Sequence, residues 1–163
     1  MLLYPKLYVQ KATDVTIDIV KENKIKGIIL DVDNTLIDYD KNFLEGIDTW
    51  CEEMKKQDIK FCIASNSNKK EKVEKVANKL DIPYVFFATK PFKRGLLKAK
   101  EKLELPEENI AVIGDQIFTD IIGANRCHMF SILTKPLAEK DILITVLKRP
   151  IENYIIKKYQ EKS

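Results

Sequence analysis

Seven polar side chains with catalytic potential follow the apolar segments of this 163-residue chain. They are Asp31 and Asp33 after KGIIL, Ser65 and Asn66 after IKFCIA, Lys90 after YVFFA, and Asp115 and Asp120 after NIAVIG. If these segments are parallel strands of one sheet, their carboxyl ends meet at one edge, where such sheets bind ligands. The sequence therefore predicts that carboxylates, a hydroxyl group and an ammonium group converge there.

A cluster of carboxylates of this kind indicates a cation-binding site. Converging carboxylates repel one another and raise one another's pKa values unless a cation lies among them, and all-oxygen ligands of this kind select Mg²⁺. Mg²⁺ together with Lys90 would attract an anion, and Ser65 with the backbone N–H groups at Asn66 suits phosphate oxygens. The pattern therefore predicts a magnesium site that also binds a phosphate group.

The predicted acids have distinct chemical roles. Asp31 can attack phosphorus as a carboxylate nucleophile and form an aspartyl-phosphate, which water then hydrolyses. Asp33 would protonate the leaving alkoxide in the first step and deprotonate the attacking water in the second. Mg²⁺ and Lys90 would offset the charge of the transferring phosphoryl group. Asp31, Asp33 and Lys90 are thus the predicted catalytic residues.

Short apolar runs alternate with segments of helical periodicity. The strand candidates are residues 26–30, 59–64, 84–88, 109–114 and 128–134. Between them, sets such as Val73, Val76, Ala77 and Leu80 recur at the spacing of one helix face. The alternation predicts an α/β fold in which helices flank a parallel sheet, and residues 148–163 resemble a lysine-rich amphipathic helix.

Composition limits the class of protein. The chain has 45% hydrophobic and 33% charged residues with only 5 Gly and 6 Pro, which excludes collagen-like and disordered classes. Its length favours one domain over residues 1–163, and a net charge of +3 is too small to indicate a nucleic-acid partner. Three cysteines without a CxxC pair, and no apolar run of membrane-spanning length, favour a reduced, cytoplasmic protein.

Four motifs resemble those of the haloacid dehalogenase (HAD) phosphohydrolases: DVDNT at 31–35, Ser65 at a strand end, Lys90 in TKP, and GDQIFTD at 114–120. The resemblance covers about residues 15–134 and implies a single-domain, three-layer Rossmann-like fold with a mainly parallel sheet. The implied roles are nucleophile and metal ligand for Asp31, acid–base and carbonyl ligand for Asp33, phosphate-binding hydroxyl for Ser65, charge neutralisation for Lys90, metal ligand for Asp115, and support of the metal site for Asp120. Ser67 and Asn66 remain alternatives for part of the role of Ser65.

The gaps between the motifs indicate that no cap domain covers the site. Members of this superfamily that act on small metabolites usually insert a cap after the first motif or between the second and third. The first gap here has room only for a flap, a helix and a strand, and the second only for a helix and a strand. An open site of this kind serves bulky substrates or borrows a lid from another subunit.

The segments LLYPKLYV, IKGIILDVDNTL and GDQIFTDIIGANR are similar to the YqeG-like members of HAD subclass III, which are related to the phosphatidylglycerophosphate phosphatases. This likeness extends nearly end to end and implies a lipid phosphomonoester as the candidate substrate. The apolar residues between 2 and 9 and the basic helix at 148–163 are compatible with peripheral contact at the inner face of the membrane. Edge packing or a dimer contact is the alternative, and the oligomeric state stays open.

Two other functions remain as alternatives. One is a phosphatase for a soluble sugar phosphate, a nucleic-acid end or a phosphoprotein. The other is a non-catalytic phosphate-responsive module such as a receiver domain, which also uses an aspartate, a lysine and Mg²⁺. The order of residues argues against a receiver, because a receiver carries its acceptor aspartate on the third strand, whereas the third run here ends in Thr89 and Lys90.

Overall fold

The structure is a computed structural model, and it describes residues 1–138 and 143–163. The strands are β1 (Leu7–Val9), β2 (Gly27–Leu30), β3 (Lys60–Ala64), β4 (Tyr84–Val85), β5 (Ile110–Gly114) and β6 (Phe130–Thr134). The helices are α1 (Ile17–Glu22), α2 (Ile47–Lys56), α3 (Lys70–Leu80), α4 (Lys93–Leu103), α5 (Ile122–Arg126) and α6 (Leu143–Lys162). A π-helical turn at Ile117–Ile121 leads directly into α5.

The six strands form one sheet in the order β1-β6-β5-β2-β3-β4, and every neighbouring pair is parallel. From β2 the chain builds β3 and β4 on one side, and it then crosses over to build β5 and β6 on the other. The direction of winding therefore reverses beside β2. The crevice at the carboxyl end of such a reversal is where doubly wound sheets bind ligands.

Alternate residues of the central strands point to opposite faces of the sheet, as the pleat requires. On one face, Ile28 and Leu30 belong to a hydrophobic cluster that includes buried residues of α2 and α3. On the other face, Ile29 belongs to a second cluster that includes buried residues of α4 and α5. Helices thus cover both faces, which confirms the predicted three-layer α/β fold.

The five strands predicted from sequence are all present, with shorter bounds. The run at 84–88 forms a strand only at Tyr84–Val85, because Phe87 takes a left-handed backbone conformation (φ 49°) and its N–H bonds to the carbonyl of Ser67. The run at 128–134 begins its strand at Phe130, because His128 is also left-handed (φ 59°). Neither conformation can continue a strand.

The sheet has a sixth strand that the sequence did not predict. Leu7–Val9 forms β1 and pairs with β6 at the sheet edge. Part of the amino-terminal apolar segment, Leu3, Tyr4 and Tyr8, packs against a small cluster that includes Ile155 of α6. The terminal segments therefore pack together along this edge. The helix predicted at 148–163 is present in α6, which begins earlier, at Leu143, and ends at Lys162.

Neither the gap between the first and second motifs nor the gap between the second and third contains an inserted cap domain. Between β2 and β3 lie a flap and α2, and between β3 and Lys90 lie α3 and β4, all within the described part of the chain. The crevice at the carboxyl ends of the strands is therefore not covered by a further domain from residues 31–90. Among the helices in residues 1–138 and 143–163, none has the length and apolar composition needed to cross a bilayer.

Candidate active site

Asp31 follows β2 directly, and its backbone N–H continues the pairing with β5 by bonding to the carbonyl of Ile113 at 3.0 Å. The chain then turns, because the N–H groups of Thr35 and Leu36 both return to the carbonyl of Val32. This turn brings Oγ1 of Thr35 to 3.2 Å from Oδ2 of Asp31 and 3.3 Å from Oδ1 of Asp115. One hydroxyl group thus joins acids that lie on two neighbouring strands.

Lys90 reaches the same place from the segment after β4. Its ammonium nitrogen lies 3.0 Å from Oδ1 of Asp31 and 2.6 Å from Oδ1 of Asp120. The Lys90 side chain is 1% exposed, so this charge depends on its two carboxylate partners. The structure therefore brings together Asp31, Lys90 and Asp120, which lie far apart in the sequence.

Asn66 holds the backbone of Lys90 from both sides. Its side-chain Nδ2 donates to the carbonyl of Lys90, and its Oδ1 accepts from the N–H of Lys90, each at 2.8 Å. The amide side chain is therefore engaged in placing the lysine, which leaves the backbone of the loop for the predicted phosphate contact. That contact stays a prediction.

Ser65 directly follows β3 and is 1% exposed. Its Oγ accepts from the N–H of Ser67 at 3.2 Å, and the hydroxyl proton is left to donate. The hydroxyl of Ser67 instead accepts from the N–H of Lys69, just before α3 begins. Because each hydroxyl accepts one backbone N–H, these bonds do not distinguish Ser65 from Ser67, and the phosphate-binding role of Ser65 stays a prediction.

Three acids form a cluster that suits a cation. One carboxylate oxygen from each of Asp31, Asp115 and Asp120 lies within 4.8 Å of the others. Both oxygens of Asp120 already have partners, because Oδ1 binds Lys90 and Oδ2 accepts from the N–H of Gln116 at 3.1 Å. By contrast, Oδ2 of Asp31 and Oδ1 of Asp115 share the single hydroxyl group of Thr35. Asp31 and Asp115 are therefore the better-placed side-chain ligands, and a hard, oxygen-seeking divalent ion fits this donor set.

The pKa values of these groups reflect crowded negative charge. Burial raises the pKa of Asp31, with a further rise from Asp120, while Lys90 opposes both effects. Burial also raises the pKa of Asp115 well above its ordinary value, with contributions from Asp31 and Asp120, and Arg149 opposes these. Burial alone would lower the pKa of Lys90, but the carboxylates of Asp120 and Asp31 bring it above its ordinary value. A divalent cation would relieve this crowding of acids.

Asp33 lies outside the acidic cluster. Its side chain is 49% exposed and forms an ion pair with Lys72 of α3. It borders a cleft of about 470 Å³ whose lining includes Lys41, Lys69 and Lys72. An acid that faces open solvent beside the cluster is well placed to exchange protons with a leaving group or with water. Its predicted role as a metal ligand would use the backbone carbonyl, and this stays a prediction.

Besides Thr35, three residues that sequence reasoning did not select contribute to the site. Gly114 leaves room for Asp120, because a Cβ atom at this position would collide with the Asp120 carboxyl group. The glycine in GDQIFTD was a signal for this close approach. Lys72 and Arg149 contact Asp33 and Asp115 respectively, and both lie too far away in the sequence for any spacing rule to connect them.

The sequence is similar to a known family and to a known protein. The family model described as mitochondrial PGP phosphatase matches residues 1–138. The chain is 37% identical over 159 residues to the probable phosphatase YqeG of Bacillus subtilis strain 168, and the match covers 97% of this chain and 92% of YqeG.

Solved structures share the fold at low sequence identity. The cobalt-bound deoxy-D-mannose-octulosonate 8-phosphate phosphatase of Haemophilus influenzae superposes with a TM-score of 0.54 at 16% identity, covering 86% of this chain and 92% of that one. A putative HAD superfamily (subfamily III A) hydrolase of Legionella pneumophila gives a TM-score of 0.52 at 17% identity, covering 85% and 92%. These likenesses establish the fold.

Proposed function

The chain belongs to the PGP phosphatase family, as a YqeG-type HAD phosphatase, and from this we propose that it hydrolyses phosphatidylglycerophosphate with Mg²⁺ through an aspartyl-phosphate. The observation that carries the proposal is the buried ammonium of Lys90 between Asp31 and Asp120, beside Asp115. This arrangement puts a carboxylate nucleophile next to positive charge that a phosphate group can share. It supports phosphoryl transfer to an acid whose own negative charge would otherwise repel the substrate.

Residues of this chain carry each step. Lys90 and the hydroxyl of Ser65 bind phosphate oxygens, and Asp31 attacks phosphorus while the leaving alkoxide takes a proton from Asp33. Asp33 then takes a proton from a water molecule whose oxygen attacks phosphorus, and the bond from phosphorus to Asp31 breaks, which releases phosphate and restores the Asp31 carboxylate. Asp31 and Asp115 would hold Mg²⁺, which would supply charge neutralisation for the phosphoryl group.

The lipid substrate is supported by charge on the side of the site where the leaving group lies. Asp33 must face the leaving oxygen in order to protonate it, and the cleft beside Asp33 has Lys41, Lys69 and Lys72 in its lining. These three lysines outnumber the two acids of the same lining, Asp33 and Asp38, and so favour an alcohol that itself carries negative charge. The glycerol of phosphatidylglycerophosphate is joined to a phosphodiester and meets this requirement, whereas a neutral sugar does not.

To reach a lipid substrate, the protein must also contact the surface of the bilayer. Exposed apolar side chains are available near both ends of the chain, at Met1, Leu2, Ile151 and Tyr154. Contact at the inner face of the membrane is therefore part of the proposal. Co-sedimentation with vesicles containing anionic lipid, compared with vesicles of neutral lipid, tests it directly.

The decisive assay measures release of inorganic phosphate from phosphatidylglycerophosphate in mixed micelles. We expect turnover by the wild-type protein with Mg²⁺, none with a chelator, and none by Asp31→Asn. Mass spectrometry of the acid-quenched protein should find one added phosphoryl group on the peptide that contains Asp31. Good activity on a sugar phosphate, a phosphorylated oligonucleotide or a phosphopeptide, with none on the lipid, would overturn the substrate assignment. A phosphorylated form that lasts for minutes would instead indicate a receiver-like module.

Lys69→Met tests the basic cleft. We expect it to raise KM for the lipid several-fold while leaving KM for p-nitrophenyl phosphate, whose leaving group carries no second anion, nearly unchanged. Lys75→Met is the matched control, because Lys75 is an exposed lysine of α3 outside the cleft lining. Equal effects of the two substitutions on the lipid reaction would contradict a specific role for the cleft.

A further inference from the structure

Arg149 reaches the candidate metal site from α6, a helix that lies outside the four sequence motifs. Its Nη2 lies 2.6 Å from Oδ2 of Asp115, and its Nη1 donates to the backbone carbonyl of the same residue at 2.8 Å. The carboxyl group of Asp115 is fully buried, and the Arg149 side chain is 15% exposed. The two nitrogens of one guanidinium group thus hold the side chain and the main chain of a single acid.

The position of Arg149 is itself supported. Its Nη1 lies 3.0 Å from Oε2 of Glu152, one turn further along α6, and Glu152 is 2% exposed. The other oxygen of Glu152 accepts from the N–H of Phe118 in the π-helical turn. Ile155 of α6 packs in the cluster that contains Ile117 and Ile121. Arg149 therefore belongs to a packed part of the helix rather than to a freely moving surface.

The two oxygens of Asp115 face different partners. Oδ2 is held by Arg149, whereas Oδ1 lies 3.3 Å from Oγ1 of Thr35, which in turn lies 3.2 Å from Oδ2 of Asp31. With Oδ2 held in this way, Oδ1 is the oxygen turned toward the other acids. The rotation of the Asp115 carboxylate is thereby restricted from both ends.

We propose that Arg149 is a positioning residue that holds Oδ2 of Asp115 so that Oδ1 stays turned toward Asp31, the other acid that would hold the cation. The inference rests on the magnesium-dependent function proposed above. It makes α6 a part of the metal site, although the proposed ligands, Asp31 and Asp115, lie elsewhere in the chain. Partners that orient a metal ligand in this way typically change metal affinity by about 10–100-fold.

The alternative role for Arg149, competition with the cation, predicts the opposite change in metal affinity. A guanidinium group that merely competed with the cation for Asp115 would weaken metal binding, so its removal would strengthen binding. If Arg149 instead positions Asp115, removal of the guanidinium group should weaken metal binding. The direction of the change in metal affinity therefore separates the two roles.

The experiment measures Mg²⁺ binding to the full chain by isothermal titration calorimetry, without substrate. Arg149→Met removes the guanidinium group, and Arg149→Lys keeps the charge but replaces the planar fork by a single ammonium group. Lys157→Met is the matched control, because it removes one exposed positive charge from α6 at a position where no contact with Asp115 occurs. Circular dichroism and urea unfolding in the presence of chelator check that each variant folds.

We expect Arg149→Met to weaken Mg²⁺ binding at least fivefold, Arg149→Lys to recover only part of the loss, and Lys157→Met to bind like the wild type. Unchanged or tighter binding by Arg149→Met would overturn the proposal, and so would full recovery by Arg149→Lys, since charge alone would then suffice. If Arg149→Met fails to fold, the same fivefold criterion applies to Arg149→Lys. A wild-type protein that binds no Mg²⁺ would instead contradict the proposed function itself.

Discussion

The ammonium nitrogen of Lys90 lies 2.6 Å from Oδ1 of Asp120, and both side chains are only 1% exposed. Oδ2 of Asp120 accepts from the N–H of Gln116, so the acid is fixed at both oxygens. The lysine is fixed in turn by the contacts of Asn66 with its backbone. Asp120 therefore holds the ammonium group beside Asp31, where the predicted phosphoryl transfer needs positive charge.

Lys90→Met should abolish phosphatase activity and lower the free energy of unfolding. Asp31 and Asp120 would lose the positive charge between them, and breaking a buried ion pair from one side typically costs about 3–5 kcal/mol. We expect a fall of this order in the free energy of unfolding, measured by urea denaturation without metal, together with loss of phosphate release. Lys93→Met, which changes an exposed lysine at the start of α4, is the control. A Lys90→Met protein with wild-type turnover would rule out the lysine as a charge-neutralising group.

Asp33→Asn should slow turnover without disturbing the acidic cluster. Loss of acid–base help typically costs about 10²- to 10⁴-fold in rate, and Asp33 is not one of the clustered acids. We therefore expect a drop of this order in kcat while Mg²⁺ affinity, measured by calorimetry, changes little. Asp40→Asn removes an exposed carboxylate nearby on the flap and should keep full activity. Loss of metal binding in Asp33→Asn would show that its side chain belongs to the metal site.

Without a cation, the protein should become less stable as pH rises. The folded-state pKa values of Asp31 and Asp115 are raised, so the folded protein holds more protons than the unfolded chain above about pH 4, where ordinary carboxyl groups ionise. The free energy of unfolding then falls with increasing pH until these acids are ionised in the folded protein. Thermal unfolding in the presence of chelator, at a series of pH values above about 4, measures how the free energy of unfolding changes with pH.

Mg²⁺ should oppose that loss, because it binds the ionised acids. At a concentration of 100 times its dissociation constant, a ligand specific for the folded state adds about 2.7 kcal/mol. The stabilisation by Mg²⁺ should therefore increase with pH over the same range. Asp115→Asn should remove most of it, and an unchanged effect of Mg²⁺ in that variant would place the cation elsewhere.

The cysteine thiols should be unreactive in the folded protein. Cys51, Cys62 and Cys127 are free and buried, and burial raises the pKa of Cys51 and of Cys62 to about 12. Since the thiolate is the reactive form, a thiol reagent at pH 8 should label none of them before unfolding and all three in urea. Rapid labelling of the native protein would indicate that the helices covering these thiols open easily.

Much of the fold and of the site was predictable from local patterns. Apolar runs of strand length, each followed by polar residues, indicated the strands and the edge of the sheet at which Asp31, Ser65, Lys90 and Asp115 lie. This works because parallel strands end at the same edge, so the position of a residue after its strand already specifies its place in the sheet. The short run that forms β1 lacked such a signal and took its strand form from pairing with β6.

What the sequence by itself determined is therefore the set of strand-end residues and the chemistry they can perform together. The tertiary structure decided which side chains hold those residues in place. Arg149 lies 34 residues after Asp115 and Lys72 lies 39 residues after Asp33, and only the packing of α6 and α3 brings them into contact. No local pattern records such contacts, because they depend on how separate elements pack and not on the spacing within any one of them.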